Sequence, residues 1–213
     1  IFEFPVVKWF ARTAPNPEWT RNHLTREFMK RNNATDSVSV TRYYVDTTRS
    51  NVIILIESWG IPMDSVMFAK ELAVFDGVLK ERGIHFRMYS RTRTAEREDL
   101  LDSAWRDSTR HRDSLFIPNR FASLGYKTSF LFGGDSTIQW RYKYIRNIGF
   151  QNAFWADSST ADAEMAAKID SLLNQSDSVK HFIAWTTRDT RFPISDDPAE
   201  CEKLYYERLF GTL

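Results

Sequence analysis

A carboxylate follows directly on an apolar run early in the chain. In NVIILIESWG, residues 51–60, the residues NVIILI suit a buried strand and Glu57 comes immediately after them. Three later segments also place polar residues after an apolar or alternating run: SRT at 90–92, GGDS at 133–136 and TTRD at 186–189. If these runs are parallel strands, their carboxyl ends share one edge of a sheet, where open α/β sheets bind ligands. Glu57 is then placed to hold a ligand or a metal, or else to cap the helix that follows.

The elements that would position these residues alternate along the chain. Apolar runs bounded by turn residues predict strands at 51–56, 84–89, 127–132, 152–155 and 181–186. Helical periodicity predicts helices at 65–82, 94–105, 114–124, 138–148 and 159–174. Strands that alternate with helices of this length predict an α/β fold with a largely parallel sheet flanked by helices.

Composition excludes several classes of function. The 213 residues suit one sizeable core, and a formal charge of +1, from 29 Lys and Arg against 28 Asp and Glu, predicts no nucleic-acid partner. Cys201 is the only cysteine, which excludes an intrachain disulfide and a cysteine-based zinc cluster. No stretch approaches the roughly 20 apolar residues that span a bilayer. The first fifty residues are polar and irregular, typical of a linker or collar, although the opening IFEFPVVKWF suits a segment leaving a membrane interface.

Four segments carry a family resemblance, and they occur in the family's order. NVIILIESWG is similar to a strand of the form NVIxxxxES, and SRTRTAERE at 90–98 resembles GRTSxAEF. Residues 116–150 keep GYKTSF, GGD and IGF in register, and FIAWTTRDTRFP at 182–193 matches a strand that ends in a Ser/Thr-rich turn. These segments resemble the sulfatase-like enzymes of the alkaline phosphatase superfamily, in particular the branch that holds lipoteichoic acid synthases and membrane phosphoglycerol or phosphoethanolamine transferases.

The resemblance implies a role for each matched residue. Glu57 would be a metal ligand, and Thr92 would be both the nucleophile and a metal ligand. Their hard oxygens suit a divalent metal, Mn²⁺ or Mg²⁺, or else Zn²⁺, and such a cation lowers the pKa of a hydroxyl that is otherwise a poor nucleophile. The resemblance also implies a substrate-binding set that comprises Arg91, Trp140, Arg141 and Arg191.

Each of these roles has a structural alternative. Thr92 could be an ordinary helix N-cap, since it precedes the helix predicted from residue 94. Each arginine could lie on a solvated helix face instead of pairing with phosphate oxygens, and Asp135 of GGD suits a turn.

The chain also departs from the family pattern. The family completes its metal site with a downstream D-H-G motif, which is absent here, and His23, His85, His111 and His181 lie in other contexts. Asp189 or Arg191 stands where members commonly have a substrate-binding histidine. Two readings follow: the rest of the domain lies outside this chain, or the chain is a divergent member with an altered site. In the first, 1–50 is a linker or collar after a membrane anchor absent from this chain, and 51–213 is the N-terminal part of a catalytic domain.

The function implied is an extracytoplasmic metal-dependent transferase or hydrolase. It would act on phosphoglycerol, phosphoethanolamine, phosphate or sulfate esters through a threonine nucleophile, with a lipid headgroup, a glycan or a small ester as substrate. It would sit in the periplasm or at the outer face of the inner membrane, held by an N-terminal anchor. The alternative is a catalytically silent domain that binds an anionic glycan or lipid headgroup. A nucleotide-binding domain is disfavoured, because no Gly-rich phosphate-binding motif follows a strand.

Overall fold

The computed structural model describes residues 39–59, 64–78, 92–103, 116–156, 161–175, 178–191 and 194–212. Two compact units divide the chain, 1–37 with 60–90 and 38–59 with 91–213. Within the first unit the structure describes helix α1, Ser65–Ala73, which Asp64 caps through hydrogen bonds accepted from the amides of the first helical turn. In the described residues no helix is both long and apolar enough to cross a bilayer.

The second unit is built on four described strands. They are β1 (Asn51–Leu55), β2 (Lys127–Phe132), β3 (Asn152–Trp155) and β4 (His181–Thr186). They form one sheet in the order β1–β4–β2–β3, and every pair is parallel. The flanking helices are α2 (Thr92–Asp99), α3 (Ile117–Ser123), α4 (Ala161–Leu173) and α5 (Pro198–Thr212). The predicted α/β fold with a parallel sheet flanked by helices is confirmed.

The core lies on both faces of this sheet, because side chains along a strand alternate between faces. Phe130 and Phe132 of β2 pack with Phe121 of α3 on one face. Leu131, between them, packs with Met165 of α4 on the other face. The two central strands are therefore buried on both sides, which explains the apolar runs FLF in β2 and FIAW in β4.

The four described strands match their predicted bounds, apart from β1, which ends one residue early. Helix α2 begins at Thr92 and ends at Asp99, whereas the prediction was 94–105. Its early start places Thr92 inside the first turn. The helix predicted at 65–82 ends at Ala73 and continues as turns to residue 78. The strand predicted at 84–89 and most of the predicted linker, residues 1–38, lie outside the described residues.

The α-helix predicted at 138–148 is wrong. A 3₁₀ helix, Ile138–Lys143, occupies its first half, and turns continue to Gly149. Gln139 and Trp140 have φ values of 56° and 58°, in the left-handed region that non-glycine residues seldom adopt, so regular helical hydrogen bonding cannot run through them. This interruption directly precedes Arg141.

Gly149 ends the turns at a close approach to helix α3. Its φ is 107°, and a β-carbon there would lie 2.4 Å from the backbone nitrogen of Asn119. A larger residue would therefore push the 144–150 segment away from α3. This steric requirement gives a physical reason for the glycine in the IGF motif at 148–150.

Candidate active site

Glu57 follows β1 in a turn that its neighbours hold in an unfavourable conformation. Its amide donates to Oγ1 of Thr187 at 2.9 Å, and its carbonyl accepts from the hydroxyl of Thr190. Ser58 has a φ of 58°, and its carbonyl accepts from the phenol of Tyr205 in α5 at 3.1 Å. A left-handed non-glycine residue costs about 1–3 kcal/mol and persists only where surrounding contacts enforce it. The residues after β4 and helix α5 thus fix the direction of the Glu57 turn.

Thr92 meets Glu57 at this edge of the sheet. Oγ1 of Thr92 donates to Oε1 of Glu57 at 2.9 Å, although the two residues are 35 positions apart. The prediction that they converge is confirmed, and their roles as metal ligands and nucleophile stay predictions. Glu57 does not cap the helix that follows it, because Asp64 does. Thr92 is the first residue of α2, where free amide groups and the helix dipole favour an anion.

The spacing of the two side chains is compatible with a small divalent cation as well as with the hydrogen bond between them. Neighbouring oxygens in an octahedral shell with metal–oxygen distances of about 2.1 Å lie about 3.0 Å apart. The 2.9 Å between Oγ1 of Thr92 and Oε1 of Glu57 is close to that spacing. Over the residues described, no group of three or more His, Cys, Asp or Glu side chains could hold a metal ion. The role of Glu57 and Thr92 as metal ligands stays a prediction.

Behind Thr92 lies a buried polar cluster that the sequence analysis missed. Glu96 of α2 is 1% exposed, and its Oε2 accepts from Nε and NH2 of Arg141 at 3.1 and 3.0 Å. The same oxygen accepts from Oγ1 of Thr186, at the end of β4, at 2.7 Å, and Oε1 accepts from the phenol of Tyr144. One signal was available: Glu96 lies four residues after Thr92, on the same helix face.

Arg141 is 1% exposed, so the alternative that it lies on a solvated helix face is wrong. Besides pairing with Glu96, it donates from NH1 to the carbonyl of Ile138 at 3.3 Å and stacks on Phe132, 3.7 Å from the ring centroid. All three guanidinium nitrogens therefore have protein acceptors. A substrate phosphate would have to compete with Glu96 for them, and the predicted contact with substrate stays a prediction.

Trp140 is directed the opposite way from Arg141. It is 58% exposed, and two cations lie over its ring: the guanidinium of Arg93 at 5.5 Å and the ammonium of Lys143 at 5.4 Å from the centroid. Arg93 directly follows Thr92, so the exposed ring lies near the start of α2. This position is compatible with the predicted role of Trp140 in binding substrate, which stays a prediction.

The remaining predicted residues are less well connected to this pair. Arg191 is exposed after β4, and its amide donates to the carbonyl of Arg188 at 2.8 Å. Arg91 lies outside the described residues. Asp135 accepts hydrogen bonds from the hydroxyl and the amide of Thr137, the amide at 2.7 Å, and these bonds lower the pKa of its carboxyl. The interpretation of Asp135 as a turn residue is confirmed.

A second buried carboxylate joins the segment after β4 to helix α4. Asp162 is 2% exposed and accepts from the amides of Arg188 and Asp189, at 2.9 and 2.8 Å. Its own amide donates to the carboxylate of Asp189 at 3.2 Å. Burial raises the pKa of Asp162 from 3.8 to about 6, although the hydrogen bonds from these backbone amides lower it. Asp189 thus has a structural partner in α4.

This raised pKa predicts a pH-dependent stability. Between pH 3.8 and about 6 the folded state binds more protons at Asp162 than the unfolded chain does. Asp162 therefore contributes about 2–3 kcal/mol to the free energy of unfolding below pH 3.8, and this contribution is lost as the pH rises through 6. Asp162→Asn cannot ionise, so we expect the difference in unfolding free energy between wild type and Asp162→Asn to decline over this range.

Urea unfolding at half-unit pH steps measures that difference. Burial lowers the pKa of His181, so wild-type stability also falls as the pH drops below 6.5. Both proteins keep His181, and its effect cancels in the difference. A difference that stays constant from pH 4 to 7 would contradict the assignment.

Comparisons with known proteins support the fold described above, a parallel sheet flanked by helices. No protein-family model and no curated protein matches the chain. Among solved structures, it is similar to the lipoteichoic acid synthase LtaP from Listeria monocytogenes, with a TM-score of 0.55 and 13% sequence identity over 77% of this chain. The chain has a sulfatase-like fold. At 13% identity the similarity shows the fold alone. The chain spans 49% of the length of the LtaP structure.

Proposed function

We propose that this chain carries the nucleophile of an extracytoplasmic, metal-dependent transferase or hydrolase. Its substrates would be esters of phosphoglycerol, phosphoethanolamine, phosphate or sulfate. The observation that carries the proposal is the hydrogen bond from Oγ1 of Thr92 to Oε1 of Glu57 at the carboxyl edge of the sheet. The similarity to LtaP, a lipoteichoic acid synthase, favours a phosphoglycerol-bearing lipid as the first substrate class to test.

The residues at the edge would divide the chemistry between them. As Oγ1 of Thr92 forms the bond to phosphorus or sulfur, the bond from that atom to the ester oxygen breaks, and the hydroxyl proton that Thr92 loses is balanced by the proton that the departing ester oxygen takes up. An acceptor hydroxyl or water then takes the group from Thr92 and restores the hydroxyl. Before the attack Glu57 orients Oγ1, since its carboxylate accepts the hydrogen bond that fixes the direction of the Thr92 hydroxyl.

A divalent cation held by Glu57 and Thr92 would lower the pKa of the hydroxyl and neutralise an anionic substrate oxygen. Trp140 and the neighbouring cations Arg93 and Lys143 would contact the remainder of the substrate. Their exposure and charge suit an anionic headgroup. We further propose a location on the extracytoplasmic side of a membrane, where lipid-linked substrates of this kind are reached.

A turnover screen tests the function. The chain is assayed with an aryl phosphate, an aryl sulfate and a fluorescent phosphoglycerol lipid, each with Mn²⁺, Mg²⁺ or Zn²⁺ and with a chelator. Because the D-H-G motif is absent and two protein ligands hold a metal weakly, we expect at most slow turnover by this chain, and any turnover should require a metal and be lost in Glu57→Ala. If no substrate turns over while the chain binds the lipid headgroup, the catalytically silent alternative is the better account.

Metal binding can be measured apart from turnover. Two protein ligands hold a cation weakly, because metal sites normally use three or more protein groups. We therefore expect weak Mn²⁺ binding by isothermal titration, and a loss of at least about tenfold in affinity in Glu57→Ala, as is usual when part of a metal site is removed. Glu202→Gln, at an exposed glutamate of α5, is the matched control. Tight stoichiometric binding that survives Glu57→Ala would place the metal elsewhere.

A further inference from the structure

Helix α2 carries the candidate nucleophile but has almost no apolar surface with which to dock. Its eight residues are TRTAERED, and Ala95 is the sole apolar side chain among them. Most surface helices are held by an apolar stripe that packs on the core. Here the residues of α2 that are buried are Glu96, Glu98 and Asp99. The position of α2 must therefore depend strongly on polar contacts.

The carboxylate of Glu96 accepts hydrogen bonds from two separate parts of the fold. Thr186 donates to it from the end of β4, which anchors α2 to the sheet. Arg141 and Tyr144 donate from the segment that follows β2, so the same carboxylate also anchors that segment. With four donor atoms on two oxygens and 1% exposure, Glu96 is fully paired in a site where each bond is strong.

We propose that Glu96 and Arg141 are a positioning pair that sets Thr92 and Trp140 relative to each other and to the sheet. Thr92 lies one helical turn before Glu96, so a shift of Glu96 moves the Thr92 hydroxyl away from Glu57. Trp140 directly precedes Arg141 in the left-handed turn, so the same shift moves the exposed ring. The pair therefore couples the nucleophile to the exposed ring near it. Its catalytic meaning rests on the proposed function, whereas its geometry does not.

The pair also assigns Arg141 a new role. The family resemblance implies that Arg141 contacts substrate, but its guanidinium nitrogens are bonded to Glu96 and Ile138. Arg141 would then act on the reaction through Trp140 and through α2, without touching the transferred group.

Site-specific NMR tests the positioning pair without any need for turnover. The γ-methyl resonance of Thr92 is assigned with Thr92→Ser and the indole resonance of Trp140 with Trp140→Phe. The change of the Thr92 resonance in Glu57→Ala defines the signature of a lost Glu57 contact. The variant is E96Q/R141M, which removes both charges together and so leaves no unpaired buried charge. Glu202→Gln is again the control.

We expect E96Q/R141M to keep cooperative unfolding while the Thr92 resonance moves toward its Glu57→Ala position and the Trp140 indole resonance also moves. A folded E96Q/R141M with both resonances at their wild-type positions would overturn the proposal. If this variant fails to fold, Glu96→Asp, which keeps the charge and shortens the side chain by one methylene, undergoes the same comparison with the same two outcomes.

Turnover separates this proposal from the proposed function. If the wild-type chain is active, E96Q/R141M should lower kcat by about 10²-fold, the effect of misplacing a reacting group by about 1 Å. If the wild-type chain is inactive with every substrate, the proposed function fails, and the two resonances still decide whether the pair positions Thr92 and Trp140.

Discussion

Thr92→Ala should lower any phosphoryl or sulfuryl transfer by this protein about 10⁵- to 10⁶-fold, as expected for removal of a nucleophile. The substitution removes the oxygen that would form the new bond and that donates to the Glu57 carboxylate. Thr92 is half-buried at the first position of α2, so its loss should leave the core unchanged. Rates are measured on the substrate that the turnover screen identifies, with the same metal.

Thr92→Ser is the matched control, since it keeps the hydroxyl and removes a methyl group. It should retain activity within about tenfold of wild type, and both variants should unfold at wild-type urea concentrations. Undiminished turnover by Thr92→Ala would show that another residue attacks. Equal loss in Thr92→Ala and Thr92→Ser would instead point to packing of the methyl group.

Glu96→Gln should cost about 3–5 kcal/mol of unfolding free energy, because it leaves the Arg141 guanidinium buried without a counter-charge. The pair is 1% exposed on both sides, so water cannot compensate. A loss of this size is a large part of the 5–15 kcal/mol that stabilises a typical domain. Urea unfolding at pH 7 measures it, and Glu202→Gln should change stability by less than about 0.5 kcal/mol.

The double variant E96Q/R141M should recover most of that loss. Removing both members of a buried ion pair is often close to neutral, since the cost of desolvating the two charges disappears with them. The glutamine carbonyl can still accept from Tyr144 or from Thr186, which donate to different oxygens of Glu96. If Glu96→Gln alone is as stable as wild type, Arg141 must find another partner or reach water, and the buried pair would not be what holds α2.

The strands and the meeting of Glu57 with Thr92 could be predicted from the sequence for simple reasons. Strands β2 and β4 are buried on both faces, and such strands contain short apolar runs, here FLF in β2 and FIAW in β4. The carboxyl ends of parallel strands share an edge, so a polar residue placed just after each apolar run must lie near the others. On this argument Glu57 and Thr92 were predicted to lie close together, and they do, although the strand predicted before Thr92, at 84–89, lies outside the described residues.

The turn at Gln139–Trp140 could not be predicted, because neither residue type favours the left-handed region. Helical periodicity continued through the turn in the sequence, and so the prediction of a helix at 138–148 was wrong. Burial of Glu96 and Arg141 was hidden for a related reason: a helix rich in alternating charges is typical of a solvated face. The tertiary contacts from Thr186 and Tyr144 overrode that pattern.

The polar attachment of α2 gives the site an unusual response to temperature. Apolar surface exposed on unfolding raises the heat capacity and polar surface lowers it, so apolar packing weakens on cooling. Detaching α2 would expose mainly the carboxylates of its buried face and the groups paired with them, with Ala95 as its one apolar side chain. Its detachment should therefore carry a small heat-capacity change, unlike the melting of the Phe-rich core beneath it. Cooling would loosen the aromatic core while leaving the alignment of Thr92 with Glu57 nearly unchanged.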